Sequence, residues 1–447
     1  LVANDYRRFN YEPYAYRTKN YGKTWQRIVD ANDVESYTLS IIEDIEEPNL
    51  MFLGTDDGLY ISINAGNKWT KWTEGFPTVP VKDLVIHPRE HDLVIGTFGR
   101  AAWVLDDIQP LRALANGNNL SKNLHLFAPP IAYQASFIQP TGSRFGADAL
   151  YQGENRRRGA PISFYINKPA KKKEEAKKKS KKSTTQKTED KKTKVKWNKI
   201  KLEIFDETRL IRTLTQNTPK ETGVYTRRWY LDEKGVARAS RRISNSTREP
   251  SGIRVKPGTY KLKMTFGDQV AEQNIKVEFD PRMTYSKADL STRYEVSKQL
   301  EKNSETIAKV VQQLVESQNI VKEVTGKLNK ADNKKYALQL KTAKDVAEKI
   351  DQLINGYLGT IDKRQGITRN PEVTVTQRYG SARSYVGARY GKITKTETEL
   401  INNFKDALKE ALNKTNNFFN TDWKNFKKEV DGIEVSPFKE IKNFNLN

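Results

Sequence analysis

The sequence contains no cysteine, and only three histidines occur among its 447 residues (His87, His91 and His125). The lack of cysteine excludes disulfide bonds, thiolate metal sites and cysteine nucleophiles together. Three histidines leave little material for imidazole chemistry. We therefore expect a protein that binds no metal and needs no cofactor.

Long apolar runs are also missing. No stretch approaches the ~20 residues that cross a bilayer, so the sequence predicts no membrane span. No signal peptide is visible and residue 1 is Leu, which indicates a processed or truncated chain whose targeting segment has been lost. A chain of 447 residues is too long for a single compact core, and roughly two to four domains are expected.

Positive charge is in excess, because 78 lysines and arginines stand against 55 acidic residues and give a formal net charge of +23. Residues 170–196 alone hold thirteen lysines and four acidic residues. Such a surplus points to nucleic acid or an anionic surface until the charge is located. No nucleic-acid-binding module accompanies it, so we predict a basic surface with a solvated, lysine-rich insertion and no nucleic-acid partner.

An eight-residue segment occurs twice in the N-terminal quarter. Residues 18–25 (TKNYGKTW) recur as residues 62–69 (SINAGNKW), at an offset of 44, and LGT at 53–55 returns as IGT at 95–97, 42 residues later. Both spacings match one four-stranded blade of a β-propeller. In such a turn Ser, Thr and Asn side chains bond to the local backbone, Gly permits a positive φ, and Trp packs beneath the turn.

Short β-rich runs surround these repeats, and Gly, Asn, Asp and Pro separate them, which is typical of antiparallel β-structure. The predicted strands cover residues 37–43, 50–55, 58–62, 68–72, 81–87, 92–97 and 101–106. Residues 1–110 are therefore predicted to form propeller blades.

A second β-rich region follows residues 111–160, which are rich in Gly, Pro and Asn and are predicted to be an irregular linker. Its strand-like runs lie at 161–166, 199–206, 210–214, 224–231, 258–266 and 273–279. Alternation puts Tyr260, Leu262 and Met264 on one face. Residues 161–282 are predicted to form a small β-sandwich, with residues 170–196 inserted in a hairpin loop.

From residue 283 the pattern changes to helices. Residues 336–357 carry a heptad seam, and residues 307–328 carry a second apolar stripe. A third stripe at 400–418 follows a capping box from Thr394 to Glu397. Residues 375–393 are a weaker helix candidate because they contain three glycines. We expect residues 283–447 to form an antiparallel helical bundle and a tail.

Three segments of the first 110 residues resemble the closing blades of bacterial sortilin-like proteins with BNR, or Asp-box, repeats. They are TKNYGKTW (18–25), LGTDDGLYISINAGNKW (53–69) and VKDLVIHPREHDLVIGTFGRAAWVLDD (81–107), of which the last is the most specific. Both boxes carry Asn where the family usually has Asp, which preserves a side-chain acceptor. The structural Asp-box positions that the resemblance implies are Thr18, Asn20, Gly22, Trp25, Ser62, Asn64, Gly66 and Trp69.

The resemblance continues beyond the blades. VKPGTYKLKMTF (255–266) and FDPRM (279–283) look like the immunoglobulin-like domain that follows the propeller in this family. The family's propeller is much larger than residues 1–110 allow, so the resemblance implies that most of it precedes residue 1. It also implies a secreted, periplasmic or cell-surface protein, whose partners are its own N-terminal propeller part and a protein or glycan ligand.

Trp72, Arg100 and Trp103 are the candidates for a ligand-binding face. Both tryptophans lie outside the position at which the repeat carries its Trp. Aromatic rings of this kind stack on sugars, although tryptophans in such repeats more often pack in the core.

No catalytic residue is predicted. The adjacent carboxylates Asp56–Asp57 and Asp106–Asp107 are tempting as acid/base pairs, but neighbouring residues of a strand point to opposite faces. His87 and His91 are spaced as in metal-binding helices, yet Pro88 places them in a hairpin turn without an evident third ligand.

Three functions stay open on these observations. The first is an extracytoplasmic interaction or scaffold protein whose propeller binds a protein or glycan. The second is a glycoside hydrolase of the BNR-repeat type, with paired carboxylates about 5–10 Å apart in blades that precede residue 1. The third is a basic anchor to an anionic surface polymer through residues 170–196, with binding that weakens steeply with salt. Because these residues show no catalytic site, we expect binding rather than catalysis.

Overall fold

The structure is a computed structural model, and it describes residues 1–117, 122–135, 156–167, 199–243, 246–361 and 373–433. The chain divides into two compact units. The first, Leu1–Leu231 with Pro257–Pro281, consists mainly of β-sheets, and the second, Asp232–Lys256 with Arg282–Asn447, consists mainly of helices. The lysine-rich insertion predicted at 170–196 lies outside the described residues.

Three small antiparallel sheets follow one another at the start of the first unit, and strands that are neighbours in each sheet are consecutive in the chain. The first sheet consists of Val2–Asp5, Asn10–Arg17 and Gln26–Val29. The second sheet consists of Thr38–Glu43, Met51–Thr55, Gly58–Ser62 and Thr70–Lys71. The third sheet consists of Val81–Ile86, Leu93–Thr97 and Ala102–Leu105. The strands predicted between residues 37 and 106 are confirmed to within two residues at each end.

The sequence repeats show how the three sheets correspond. Residues 18–25 and 62–69 each join the last two strands of a sheet, and the echo at 53–55 and 95–97 falls on the second strand of the second and third sheets. The second sheet is therefore the complete four-stranded unit. In the described part of the chain, the first sheet holds the equivalents of strands two to four, and the third sheet those of strands one to three.

The second sheet is buried on both faces. Alternate side chains of a strand point to opposite sides, so Met51 and Leu53 pack toward the first sheet while Phe52 packs toward the third. Gly54 permits the closest approach, because a Cβ there would lie 2.6 Å from the carbonyl oxygen of Val81 in the third sheet. Two apolar cores result, one on each side of the second sheet.

The described parts of residues 111–160 contain regular elements, unlike the predicted irregular linker. Helix α1 (Gln109–Ala115) follows the third sheet, and short strands form at Leu124–Leu126 and Ala132–Gln134. The first of these strands pairs with Ala160–Ile166, and the second pairs in parallel with Gln269–Phe279. Pairing with such distant strands stabilises short segments that local sequence does not mark as strands.

The other described strands of the first unit form two further sheets. One has three strands, in the order Leu124–Leu126, Ala160–Ile166 and Gly223–Trp229. The other has five, in the order Ala132–Gln134, Gln269–Phe279, Gly258–Phe266, Lys199–Asp206 and Arg209–Asn217. The predicted alternation is confirmed, because Tyr260, Leu262 and Met264 are all buried.

The second unit contains five α-helices and a two-stranded hairpin in its described residues. The hairpin is Asp232–Lys234 with Ser251–Arg254, and it belongs to a segment that the sequence places in the sandwich but that groups with the helices. The helices are α2 (Lys287–Asp332), α3 (Ala337–Leu358), α4 (Val375–Ala388), α5 (Lys395–Phe418) and α6 (Lys424–Asp431), with a π-helical turn at Phe419–Trp423. They share one apolar core, so the sequence prediction of a helical region is confirmed.

A buried ion pair joins three of these helices. Arg293 of α2 lies 3.1 Å from Glu397 of α5 and also donates to the carbonyl of Val386 in α4 at 2.9 Å. Glu397 accepts the backbone N–H of Thr394 at 2.7 Å, which completes the predicted capping box. Burial alone would raise the pKa of Glu397, but its hydrogen bonds to Arg293 and Thr394 outweigh burial and lower it.

Replacing Arg293 by Ala leaves Glu397 buried without its cationic partner. We expect Arg293→Ala to lower the free energy of unfolding by about 3–5 kcal/mol, measured by guanidinium denaturation with far-ultraviolet circular dichroism. The exposed Arg242 in the same unit is the matched control, and Arg242→Ala should change this free energy by less than about 0.5 kcal/mol. Equal effects of the two substitutions would contradict the role of the buried pair.

Candidate functional site

Two side chains hold the first repeat turn (residues 18–25). The hydroxyl of Thr18 accepts the backbone N–H of Gly22 at 2.8 Å, and Oδ1 of Asn20 accepts the backbone N–H of Thr24 at 2.8 Å. The Thr18 hydroxyl also donates to Oδ1 of Asn20 at 3.1 Å. Gly22 has a φ of 86°, in the left-handed region that favours glycine.

The second repeat turn (residues 62–69) has the same hydrogen-bond scheme. Ser62 accepts the backbone N–H of Gly66 at 2.9 Å, and Oδ1 of Asn64 accepts the backbone N–H of Lys68 at 2.9 Å. The Ser62 hydroxyl donates to Oδ1 of Asn64 at 2.9 Å. The φ of Gly66 is 81°. The two segments are therefore repeats in three dimensions as well as in sequence.

The tryptophans that end the two turns differ in what covers them. Trp69 is only 3 % exposed, its indole Nε1 donates to the carbonyl of Ile28 at 2.8 Å, and its backbone N–H donates to Asp33 at 3.1 Å. Trp25 is 49 % exposed, and no hydrogen bond to it occurs in the described part of the chain. Because the turns are alike, this difference arises from the first sheet, which lies over Trp69 and has no described counterpart over Trp25.

Three other turns lie together at one end of the sheets. Residues 6–9, 56–57 and 98–101 each connect the equivalents of strands two and three. The first and second sheets are joined at this end, because Thr38 donates to the carbonyl of Tyr14 at 2.7 Å. The second and third sheets are joined there by Val81, which lies against Gly54 and pairs with Thr97. We call this the aromatic end and define it as residues 6–11, 37, 56–57 and 98–103.

Tyrosines form a stacked patch at the aromatic end. The ring centroids of Tyr6 and Tyr37 are 5.0 Å apart, and that of Tyr11 is 6.1 Å from Tyr37. Burial, together with a hydrogen bond to the Asp56 carboxylate, raises the pKa of Tyr37 to about 12, so its hydroxyl stays protonated. Tyr6, Phe9 and Tyr11 are exposed. Exposed aromatic faces beside a carboxylate suit a sugar ring or a peptide side chain.

Asp57 forms its hydrogen bonds within the second sheet. Its carboxylate accepts hydrogen bonds from Thr55 at 2.6 Å, Lys71 at 2.6 Å and Tyr60 at 3.3 Å. Burial alone would lower the pKa of Lys71, but the hydrogen bond to Asp57 outweighs burial and raises it. Since Asp56 bonds to Tyr37, the two neighbouring carboxylates have separate partners.

Two of the three predicted ligand-face residues lie at the aromatic end. The indole N–H of Trp103 donates to the carbonyl of Arg100 at 3.0 Å, and the Arg100 side chain is exposed. Trp103 is half-buried, with its ring edge-to-face against Phe76 at 5.4 Å. Trp72 lies outside the aromatic end. It packs, together with Trp103 and Phe76, against the core between the second and third sheets. The ligand-binding role of the three residues stays a prediction.

Charged side chains converge at the opposite end, between the second and third sheets. Arg112 of α1 is buried, with Nη2 2.7 Å and Nε 3.0 Å from the carboxylate of Asp44. Its Nη1 also reaches Glu46 at 2.9 Å and Nδ1 of His91 at 2.7 Å. Such a two-point contact between guanidinium and carboxylate fixes orientation as well as distance, so it ties α1 to the second sheet.

Two carboxyl groups next to this pair titrate unusually. Asp92 accepts the backbone N–H of Asp107 at 2.9 Å, and Asp107 accepts that of Gln109 at 3.3 Å. Burial, with Asp92 nearby, raises the pKa of Asp107 to about 6, and burial also raises that of Asp92. A carboxyl with such a pKa can exchange a proton near neutral pH. Asp106, which precedes Asp107 in the sequence, is exposed.

The motif with His87 and His91 forms a hairpin turn, as predicted. The backbone N–H of Glu90 donates to Nδ1 of His87 at 3.1 Å, and His91 has a φ of 57°. Within the described ranges, no three His, Cys, Asp or Glu side chains are grouped so that they could hold a metal ion. His87 accepts a hydrogen bond within the turn, and His91 contacts Arg112.

Sequence reasoning missed the tyrosine patch and the pair of Arg112 with Asp44. The patch draws on residues 6, 11 and 37, and the density of tyrosine near the N-terminus was the signal that could have found it. Arg112 and Asp44 are 68 residues apart, and nothing local marks either as a partner of the other.

Comparison of the chain with protein-family models found no match, and comparison with curated proteins found none either. Among the helices in the described ranges, none combines the length and the apolar character that crossing a membrane requires. The functional argument therefore depends on the geometry of the chain itself.

Asp107 should make stability depend on pH. Its folded-state pKa of about 6 lies above the ordinary 3.8, so between these values the folded protein holds a proton that the unfolded chain has lost. Stability therefore falls as pH rises through this window and stays lower above it. We expect Asp107→Asn, which keeps the oxygen bonded to Gln109, to be more stable than the unmodified protein at neutral pH by about 2 kcal/mol.

Denaturant titrations across the pH range measure this effect. The variant should lose less stability than the unmodified protein between about pH 4 and pH 7. The exposed neighbour Asp106 supplies the control, and Asp106→Asn should follow the unmodified profile. Superimposable profiles for Asp107→Asn and the unmodified protein would show that this carboxyl does not titrate as described.

Proposed function

We propose that this chain is the closing part of a sortilin-like Asp-box β-propeller protein that acts outside the cytoplasm, in a secreted, periplasmic or cell-surface form. In this proposal it is an interaction or scaffold protein, and its aromatic end binds a protein or glycan ligand. The observation that carries the proposal is the stacked, exposed tyrosine patch at the point where the turns of three stacked sheets meet.

The arrangement of the three sheets supports blades of a propeller. Each sheet is an antiparallel meander, and neighbouring sheets pack face to face around shared apolar cores. The repeat turns have the hydrogen-bond scheme expected of Asp boxes, with Asn20 and Asn64 supplying the acceptor. A propeller built from such blades carries its ligands on one end, where the connecting turns of several blades meet.

The three-stranded and five-stranded sheets that follow support an immunoglobulin-like domain. The described strands of the second are antiparallel except for the edge strand Ala132–Gln134, and each sheet has one buried apolar face. Trp229 of one sheet lies 5.5 Å from Tyr260 of the other, edge to face. Gln273 also donates to the carbonyl of Leu126 across the two sheets at 3.3 Å. In the proposed protein this domain and the helices act as spacer and docking platform.

The chemistry of the aromatic end favours binding over catalysis. Tyr6 and Tyr11 offer ring faces, Asp56 offers an acceptor, and Arg100 offers a cation. Asp57 is already bonded to Lys71, Thr55 and Tyr60, so it is not free to act as an acid or base. These groups suit recognition of hydroxyl-rich or peptide ligands rather than bond cleavage.

The alternative is a glycoside hydrolase of the BNR-repeat type. Its catalytic carboxylates would then lie in blades outside this chain, on the same end as the tyrosine patch. In that case the patch is a sugar subsite rather than the whole binding site. Whether the protein is an interaction protein or a hydrolase, the N-terminal part of the same propeller is a proposed partner of this chain.

Ligand binding is testable with the full chain. A glycan array and a displayed peptide library are the probes, and the strongest ligand from each is then titrated by calorimetry. We expect Tyr11→Ala to weaken binding at least about fivefold, because loss of one aromatic contact costs about 1–3 kcal/mol. Arg100→Ala should weaken it as well.

Tyr385 supplies a matched control for this titration. It is 54 % exposed, like Tyr11 at 55 %, but it lies in α4 of the other unit, so Tyr385→Ala should leave affinity unchanged. The binding proposal fails if neither probe yields a ligand, or if ligands bind Tyr11→Ala and Arg100→Ala as tightly as the unmodified chain. New reducing ends in the glycans that bind would favour the hydrolase.

A further inference from the structure

We propose that Tyr21, Gly22 and Trp25 form a docking surface for one more sheet of the same kind, which covers them as the first sheet covers the second repeat turn. The inference rests on the row of Asp-box sheets proposed above. It extends that proposal by specifying the chemical groups with which the further sheet covers the first repeat turn.

The second repeat turn shows how such a surface is covered. The carbonyl of Ile28 accepts the indole N–H of Trp69 at 2.8 Å, and the carboxylate of Asp33 accepts its backbone N–H at 3.1 Å. Arg17 donates to the carbonyl of Ala65 at 2.9 Å. Three polar groups of one sheet therefore bind three backbone or indole groups of the next turn.

An aliphatic contact completes this cover. Ile28 packs against Gly66, because a Cβ on that glycine would lie 3.2 Å from Cδ1 of Ile28. Glycine is thus required for its positive φ and also for the close approach of the neighbouring sheet. The complete cover consists of a branched aliphatic side chain, a backbone carbonyl, a carboxylate and a guanidinium.

The first repeat turn presents the same groups without their cover. Tyr21, Gly22 and Trp25 lie 44 residues before their counterparts in the second turn, which are Ala65, Gly66 and Trp69. The φ values of Tyr21 and Gly22 are 55° and 86°, and those of Ala65 and Gly66 are 57° and 81°. Tyr21 is fully exposed and Trp25 is half exposed. In the described part of the chain, only the Trp25 ring lies within 4 Å of a Cβ on Gly22. The surface is preformed, so docking requires no refolding of the turn.

The described sheets of a second copy do not offer the required cover. In the first sheet, Ile28 and Arg17 are already bound to the second turn. In the second sheet, the residue 44 positions after Ile28 is Trp72, which packs against the core shared with the third sheet. The third sheet has no fourth strand within the described ranges. The occupant is therefore a further sheet of this kind, which carries the same four groups that cover the second repeat turn.

A tandem chain supplies this occupant in a defined position. Residues 1–49 are repeated ahead of Leu1, so that the added copy carries its own Arg17, Ile28 and Asp33. Its residues 38–43 lead into the original Val2–Asp5 strand, just as they lead into Met51–Thr55 in the unmodified chain. The measurement is hydrogen exchange of the indole N–H groups by NMR of tryptophan labelled with nitrogen-15, and Trp25→Phe assigns the resonance.

In the unmodified chain, the indole N–H of Trp25 should exchange fast and that of Trp69 slowly. In the tandem chain, exchange at the original Trp25 should slow at least about tenfold, while Trp25 of the added copy stays fast. A control tandem with Ile28→Asp in the added copy should leave both fast. Fast exchange at the original Trp25 in a folded tandem overturns the proposal, and so does slow exchange in the unmodified chain.

The recognition chemistry is also testable if the tandem chain does not fold. Arg17→Ala in the unmodified chain removes the donor to the turn and should speed exchange at Trp69 about tenfold, and unchanged exchange would overturn the proposal. Two other occupants, a second copy of the chain and a sugar, need separate experiments. Sedimentation of the unmodified chain measures self-association, and Trp25 exchange with added soluble oligosaccharides measures sugar binding. Self-association that Trp25→Ala abolishes would assign the surface to a second copy, and protection of Trp25 by an oligosaccharide would assign it to a sugar; either outcome overturns the proposal.

Failure of this inference is distinguishable from failure of the proposed ligand binding. Tyr11→Ala acts at the aromatic end and should leave Trp25 exchange in the tandem chain unchanged. Slowed exchange at Trp25 together with no ligand for the aromatic end would therefore support the docking surface and reject only the binding proposal.

Discussion

The first unit depends on one constraint: a small antiparallel sheet becomes stable only when its apolar faces are covered by neighbouring elements. The second sheet meets this constraint fully, because every residue of its strand Met51–Thr55 is buried between two neighbours. The close contact at Gly54, the hydrogen bonds of Thr38 and the buried ring of Trp69 all serve the stacking of one sheet on the next. The first and third sheets each pack one face against the second sheet. In the described residues, the other face of each is open to further contacts.

The two ends of the stacked sheets have different physical characters. At one end, buried charges clamp the structure: Arg112 holds Asp44 and Glu46, and Asp107 sits at the start of α1. At the other end, exposed rings and an exposed arginine are held in place by short turns. A rigid scaffold that presents aromatic faces on loops is a common basis for recognition, because the rings lose little conformational entropy on binding. The proposed ligand site is therefore the end that presents exposed aromatic rings and an exposed arginine.

Local patterns predicted the strands of the three sheets, the alternation at Tyr260 to Met264 and the capping box at Thr394, because each depends on residues close in sequence. The short strands within 111–160 were missed, since they are stabilised by partners up to 145 residues away. For the same reason sequence could not show that the hairpin near Asp232 groups with the helices. Trp72 and Trp103 could be singled out, but only the fold shows that both pack against the core between two sheets. The tyrosine patch joins three elements, so no single stretch of sequence contains it.

The position of Trp69 gives the row of sheets a direction. Its indole N–H donates to the carbonyl of Ile28 in the preceding sheet, and Arg17 of that sheet donates in return to the carbonyl of Ala65 in the same turn. The two sheets therefore meet through different surfaces, the strand Gln26–Val29 of one and a repeat turn of the other, so the contact is heterologous. Such contacts can continue indefinitely or close into a ring, but they cannot end in a symmetric pair. A further sheet that docked on the first repeat turn would therefore present its own repeat turn in the same way, and the rotation between neighbours would decide whether such a row closes.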